Sequence, residues 1–256
     1  HAEAIPLAKA RGLTIHVFEE GYLRPYWVTY ERNGSNGHSR LMHMPVDEMQ
    51  AVLAGSDLEA PMPPAHWGDM RSHILYGALY HWFVLFFNRS YRNFQPHRHL
   101  SVARELRLYL RRLILLPFHV IGWRVGVRRI RRGRFPYHLA LLQLEHDSSL
   151  QAHSDFNSMN AFLTEVLTAF ADGAPRHHHL VVKAHPLETG RVPLKREVKR
   201  LARALGIADR VHYLHGGKLA RLLDDARSAV TINSTAGQQV LWRGIPLKAF
   251  GRAVYS

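Results

Sequence analysis

The sequence has no cysteine. That excludes a disulfide scaffold, a thiolate metal site and a cysteine nucleophile, and it fits a reducing compartment. There is no Walker A string and no Gly-x-Gly-x-x-Gly. No zinc-ligand spacing and no Ser-His-Asp motif stand out. No apolar run reaches the roughly 20 residues that span a bilayer. The strongest, His73 to Phe87, is interrupted by His81 and reads as a buried or interfacial helix. The chain starts at His1, without the charged and apolar regions of a signal peptide, and both ends read as cut from a longer chain.

Acidic residues and lysine are both scarce in one segment. From Arg89 to Arg134 there are 13 arginines, no lysine and a single acid, Glu105, giving +12 out of a net +14. The remaining chain is nearly neutral. Such an excess predicts an anionic partner, whether nucleic acid, anionic membrane or a nucleotide-type substrate. Within the segment Leu106, Leu110, Leu113 and Ile114 recur at helical spacing between arginines, which predicts a basic amphipathic surface helix or helix pair. Arg107, Arg111, Arg112, Arg128 and Arg129 are the candidate membrane contacts. Tyr91, Phe94, Tyr109 and Trp123 interleave with the bases, as they would in a nucleic-acid site. The apolar helix face favours the membrane over nucleic acid.

What is present elsewhere is alternation. Ala2 to Arg11 reads as a helix ending at Gly12, and Leu13 to Phe18 as a strand. Residues 31–72 read as loops and short helices. After Arg134 strands are expected at Tyr137–Leu144, Leu180–Ala184, Val211–Leu214, Ser228–Ile232 and Pro246–Phe250. Helices are expected at Asn157–Ala171, Pro193–Leu205, Lys218–Ala226 and Thr235–Trp242. Strand and helix in turn, with short connections, predict a parallel doubly wound α/β sheet. Ligands bind such sheets at the carboxyl ends of the strands. Three divisions follow: 1–88, the Arg-rich 89–134, and 135–256.

Four strand ends carry candidate chemistry. Glu19-Glu20-Gly21-Tyr22-Leu23-Arg24-Pro25 offers two carboxylates for a general base or for orienting a hydroxyl; the alternative is a solvated loop with a local ion pair. Gln143-Leu144-Glu145-His146-Asp147-Ser148 offers a carboxylate able to act as a nucleophile or oxocarbenium stabiliser, and equally an Asx turn or helix cap. Lys183-Ala184-His185-Pro186 could face an anionic ligand, with Pro186 fixing the loop. The adjacent His177-His178-His179 is a solvated loop entering a strand, because neighbouring strand residues point to opposite faces. Asn233-Ser234-Thr235-Ala236-Gly237 could bind phosphate at a helix start or simply cap that helix.

Taken in order, these strings resemble bacterial capsule polysaccharide biosynthesis proteins of the KpsS/LipB type. Val17 to Pro25 carries most of the resemblance, with Trp27-Val28-Thr29, Asn36 to Ser39, Gln143 to Ser148, His185 to Glu188, Asn233 to Gly237 and Phe250 to Tyr255. The resemblance implies a GT-B-type glycosyltransferase with two Rossmann-like domains, here an N-terminal one that is truncated, a basic helical insert and a C-terminal nucleotide-sugar domain. It implies a cytoplasmic β-Kdo transferase, peripheral on the inner membrane. The donor would be CMP-Kdo and the acceptor lysophosphatidylglycerol or a similar lipid, with no metal or cofactor and possible contact with other capsule assembly proteins. His185 and Ser234/Thr235 would hold the CMP phosphate and ribose, and Pro186 and Asn233 belong to the same motifs. Glu20, with Glu19 as substitute, would be the acidic-motif carboxylate. Asp147 is the expected nucleophile of a retaining reaction, with Glu145 the fallback. Chemistry alone suggests Arg24 or Lys183 for the Kdo carboxylate. Other readings are a CMP-sialic acid transferase, a non-catalytic capsule export or scaffold protein, and a basic nucleic-acid-binding module.

Overall fold

A computed structural model of the chain describes residues 4–21, 27–56, 70–91, 93, 100–188 and 190–256. A short helix α1 (Ala4–Ala10) leads to strand β1 (His16–Glu20). This pairs antiparallel with β2 (Val28–Arg32) in a two-stranded ribbon, Phe18 opposite Tyr30. Two 3-10 turns (Asn36–His38, Arg40–His43) and helix α2 (Val46–Ala54) follow. Thus the expected N-terminal strand exists, two to three residues later than its apolar run. Its partner is a hairpin neighbour, and among the described residues the N-terminal part contributes no strand to a parallel sheet. Val28–Arg32, expected within or beside loops, forms the partner.

Helix α3 (Met70–Phe86) runs against α4 (Val102–Gly133), with Ile74, Ala78 and Tyr109 buried between them. The expected helix or helix pair is thus one 32-residue helix, continuous through Pro117. Each residue turns a helix by about 100°, so its residues sort onto distinct faces. Tyr109, Leu113 and Leu116 face inward, towards α3, and Leu106 is buried. Val127 and Ile130, about three and four turns beyond Leu116, pack on the sheet. Leu110, Ile114, Phe118, Ile121 and Val125 form an exposed stripe. The second half of the Arg-rich segment forms one layer of the C-terminal unit.

That unit is built on five parallel strands in the order β5-β4-β3-β6-β7: β3 (Tyr137–Leu141), β4 (His179–Lys183), β5 (Val211–Leu214), β6 (Ala226–Thr231) and β7 (Leu247–Ala249). Alternate strand residues serve opposite faces. Ala140, Leu142, Leu180 and Val182 meet α6 (Met159–Gly173) and α7 (Leu194–Ala204) through Phe162, Leu163, Leu167 and Val198. Leu139, Leu141, Val181 and Leu214 meet α4, α8 (Ala220–Leu223) and α9 (Ala236–Leu241). Each large apolar side chain so buried contributes on the order of 1.5–3 kcal/mol. Helix α5 (Ser148–His153), in line with the helix-cap alternative for Asp147-Ser148, sits beyond β3. The chain steps outward from β3 through β4 and β5, then returns to β3's other side for β6 and β7. Its switch point lies between the carboxyl ends of β3 and β6, where an open α/β sheet leaves a crevice.

Candidate active site

A reciprocal amide pair closes the floor of that crevice. Gln143 Nε2 donates to Asn233 Oδ1 at 2.8 Å, and the Asn233 N–H donates to Gln143 Oε1 at 2.9 Å. Asn233 Nδ2 also reaches the His153 carbonyl. Both residues are buried, so Asn233 joins β3 to β6 and its amide is occupied by protein partners rather than presented to a ligand.

The two acidic candidates after β3 take different work. Glu145 Oε2 accepts from the Met159 N–H at 3.1 Å, where a carboxylate suits the start of α6. Asp147 closes a turn onto the Leu144 carbonyl and begins α5. Its carboxylate lies close enough to His185 to favour the imidazolium electrostatically. Asp147 and His185, beyond the ends of neighbouring strands, are thus near enough to interact electrostatically, while Glu145 is bonded to the start of α6.

The His185 ring is fixed by its own loop. The Leu187 N–H donates to Nδ1 at 3.1 Å, so in the neutral ring the proton is on Nε2, available as a donor. Burial pushes the His185 pKa down to about 4, with Lys183 and Arg112 lowering it further and Asp147 opposing them. Lys183, at the tip of β4, is buried and its pKa falls to about 8 through desolvation. It lies on the α4 side of the sheet, as Val181 does.

Arg112 corrects an expectation. It is 6% exposed, and its Nη2 donates to the Pro186 carbonyl at 2.5 Å. One residue beyond Arg111 is a 100° turn, which carries it from the outer face to the inner one. It therefore cannot touch a membrane and instead braces the His-Pro loop. Arg107, Arg111, Arg128 and Arg129 are exposed as expected.

On the β6 side, Ser234 Oγ accepts from the Ala236 N–H at 3.2 Å, and Thr235 is exposed. The Tyr255 hydroxyl donates to the Ser234 carbonyl and its ring packs so tightly on Gly237 that a β-carbon there would lie 2.6 Å from it. The C-terminal Phe250–Tyr255 string therefore holds this loop in place. The N-terminal ribbon reaches the same end of the sheet. Asn36 Nδ2 donates to Glu19 Oε2 at 2.5 Å, Gly37 packs on the His153 ring, and His38 meets it edge-on at 4.9 Å. Glu19's charge acts on His153. Since β1 alternates, Glu19 is directed to the C-terminal unit and Glu20 to the other face of the ribbon. Arg24 lies outside the described residues.

Sequence reasoning missed His153 and the roles of Gln143, Tyr255 and Arg112; the pairing of Gln143 with Asn233 across 90 residues has no local signal. Among the three adjacent histidines, His178 and His179 are not merely solvated: His138 Nε2 and His178 Nδ1 are 2.9 Å apart, as are His179 Nδ1 and His212 Nε2. This cluster lies at the amino ends of the strands, away from the crevice.

The family model described as "Capsule polysaccharide biosynthesis protein" matches residues 1–256. The chain is 31% identical over 263 residues to the capsule polysaccharide export protein KpsS of Escherichia coli, covering 100% of this chain and 65% of that protein. It is 32% identical over 262 residues to the capsule polysaccharide modification protein LipB of Neisseria meningitidis serogroup A, covering 100% and 61%. It thus spans less than two thirds of the length of these relatives. Among solved structures, the beta Kdo 2,7 transferase KpsC of Thermosulfurimonas dismutans aligns over 56% of this chain and 47% of that one, at 18% identity and a TM-score of 0.36.

Proposed function

The chain belongs to the capsule polysaccharide biosynthesis family, and from that premise we propose that it is the catalytic portion of a glycosyltransferase. On this reading it transfers Kdo from CMP-Kdo to a phosphatidylglycerol-type lipid, with retention and a β-linkage. The observation that carries the reading is the meeting of Asp147 and His185 at the carboxyl ends of adjacent strands β3 and β4, beside the β3/β6 switch point, with the Ser234-Thr235 loop at the end of β6.

The residues divide the chemistry as follows. The Asp147 carboxylate attacks the anomeric carbon of Kdo and breaks its bond to the phosphate of CMP; the lipid hydroxyl then displaces Asp147 and gives up its proton to the released CMP phosphate. Nε2–H of His185 donates to the departing phosphate, and the hydroxyls of Ser234 and Thr235 hold its remaining oxygens or the ribose. Lys183 supplies positive charge towards the Kdo carboxylate. Glu19, not Glu20, is the acidic-motif group on the crevice side.

The exposed stripe Leu110, Ile114, Phe118, Ile121 and Val125, with Arg107, Arg111, Arg128 and Arg129 beside it, supports docking on an anionic bilayer. No helix among the described residues is long and apolar enough to cross a membrane. A nucleic-acid role is disfavoured because Tyr109 is buried and Trp123 packs against the core.

The test is incubation of the full-length protein with CMP-Kdo and lysophosphatidylglycerol. CMP release coupled to a Kdo-lipid product is expected. Absence of both, in protein that binds vesicles, overturns the transferase reading in favour of a non-catalytic capsule role. CMP-sialic acid as competing donor separates the two sugars.

A further inference from the structure

Residues 72–88 include no Asp, Glu, Lys or Arg, in a chain whose net charge is +14. Most of them form α3. A helix on the surface of a globular protein turns an apolar stripe inward and a polar face outward. From Ser72 on, α3 has no charged side chain to turn outward. Its inner side is fixed on α4. Ile74, Ala78 and His81 are buried, and the His81 ring lies 5.1 Å from that of Tyr109. At Gly77 the two helices come so close that a β-carbon would lie 2.3 Å from the Tyr109 ring.

The outer side is open. Tyr76, Leu79, Tyr80, Phe83 and Phe86 fall within an arc of roughly 120° at about 100° per residue. Phe87 continues the turn, its N–H donating to the Phe83 carbonyl at 2.8 Å. These six side chains belong to residues 40–68% exposed. Trp82 completes the aromatic end, its ring 5.1, 5.9 and 4.9 Å from those of Phe83, Phe86 and Phe87. At roughly 200 Å² per aromatic side chain, the face leaves on the order of 700 Å² of apolar surface open. The largest patch on a typical monomer is about 300–600 Å². A stable interface takes about 800 Å² from each partner.

We propose that this face is an interface between two copies of the chain, α3 crossing its own copy about a two-fold axis near Phe83. The open area is close to what each half of such a dimer needs. Charge selects the same partner: two chains of +14 repel each other over most of their surface, and here they meet without like charges. A two-fold interface sets one patch against itself, so an uncharged apolar face is complementary to its own copy. Tyr, Trp and Phe are also the residues enriched at interface cores. Direction argues against lipid. On α4, the residues that hold α3 (Tyr109, Leu113 and Leu116) and the exposed stripe around Ile114 and Phe118 lie roughly 130° apart at about 100° per residue. A bilayer lying on that stripe leaves the outer side of α3 uncovered.

The test is sedimentation of the full chain in lipid-free buffer, where a dimer at micromolar concentration is expected. A substitution on a two-fold interface counts twice. Phe83→Glu should therefore raise the dissociation constant at least about a hundredfold, with the native circular dichroism retained. The chain has no cysteine, so an introduced thiol reports the geometry independently. Oxidation of Leu79→Cys or Phe83→Cys should give a disulfide-linked dimer, and oxidation of Ile114→Cys, on the α4 stripe, should not. A wild type that stays monomeric at tens of micromolar overturns the proposal. So does a dimer indifferent to Phe83→Glu, or crosslinking that is equally strong from Ile114→Cys. If the monomer binds uncharged phosphatidylcholine vesicles and Phe83→Glu abolishes that binding, the face belongs to lipid; if it binds none, the face belongs to a different protein.

Discussion

The guanidinium of Arg112 donates to the Pro186 carbonyl across 2.5 Å, tying the middle of the 32-residue helix to the loop that carries His185. Helix and His-Pro loop are therefore one mechanical unit. Arg112→Ala should lower the unfolding free energy by about 2 kcal/mol, the cost of stranding a carbonyl bonded to a charged donor. CMP affinity should fall about tenfold with it, and vesicle binding should not change. Arg111→Gln should do the reverse: unaltered stability, and roughly fivefold weaker binding to anionic vesicles. Denaturant titration, CMP titration and flotation of both variants read the two roles separately. Equal behaviour of the two would refute the division.

Asp147 and Glu145 separate by the same logic. Asp147→Asn removes the proposed nucleophile while keeping the turn, so transfer should fall at least about a thousandfold with little change in melting temperature. Glu145→Gln weakens the acceptor at the start of α6 and should cost about 1 kcal/mol of stability with transfer largely retained. A Glu145 variant that is stable but dead would reassign the nucleophile.

Much of the sheet was legible because burial writes a periodic signature. Runs such as Leu180-Val181-Val182 and Val211 to Leu214 are apolar on both faces, as strands covered on both sides must be. β2 and the hairpin pairing of β1 escaped because neither strand buries a face: Phe18, Val28 and Tyr30 are exposed, and the pairing depends on partners eight to sixteen residues away. Within the site, residue type marked the right loops but not the division of labour. Glu145 and Asp147 differ by two positions in sequence, yet one accepts from an α6 N–H and the charge of the other acts on a histidine. Arg111 and Arg112 are chemically identical neighbours on opposite faces of one helix. Only tertiary packing distinguishes them.

The histidines make stability depend on acid. His185, His212 and His215 each fall to about 4, chiefly through burial, from the ordinary 6.5. Between those values the unfolded chain binds protons that the native chain excludes. Their stabilising contribution is therefore complete above pH 6.5 and is lost as pH falls towards 4. The loss should be on the order of 1 kcal/mol per histidine once partial solvation is allowed for. Urea unfolding at pH 7, 5.5 and 4.5 should show this decline, and His212→Asn should flatten it by about a third. His212 is the useful position because it stacks with Phe135 and His179 at the far end of the sheet, remote from the crevice. A pH-independent midpoint in the wild type would contradict the buried, neutral histidines.

The exposed stripe of α4 decides how the charge is used. Ile114 and Phe118 are 70% and 68% exposed on the same side of the helix as Arg107 and Arg111, whereas Leu113 packs inward beside α3. If arginine alone drew the protein to a surface, apolar substitutions on the stripe would leave binding untouched. If the stripe enters the headgroup region, each side chain removed from water adds to the electrostatic attraction. The double variant Ile114→Glu, Phe118→Glu should then lose at least about tenfold in affinity for anionic vesicles, with an unchanged unfolding midpoint. Leu113→Ala should lower the midpoint and leave vesicle affinity unchanged. Wild-type flotation by the double variant, or its loss of a contact with another capsule protein instead, would mean that the stripe is covered by protein rather than lipid.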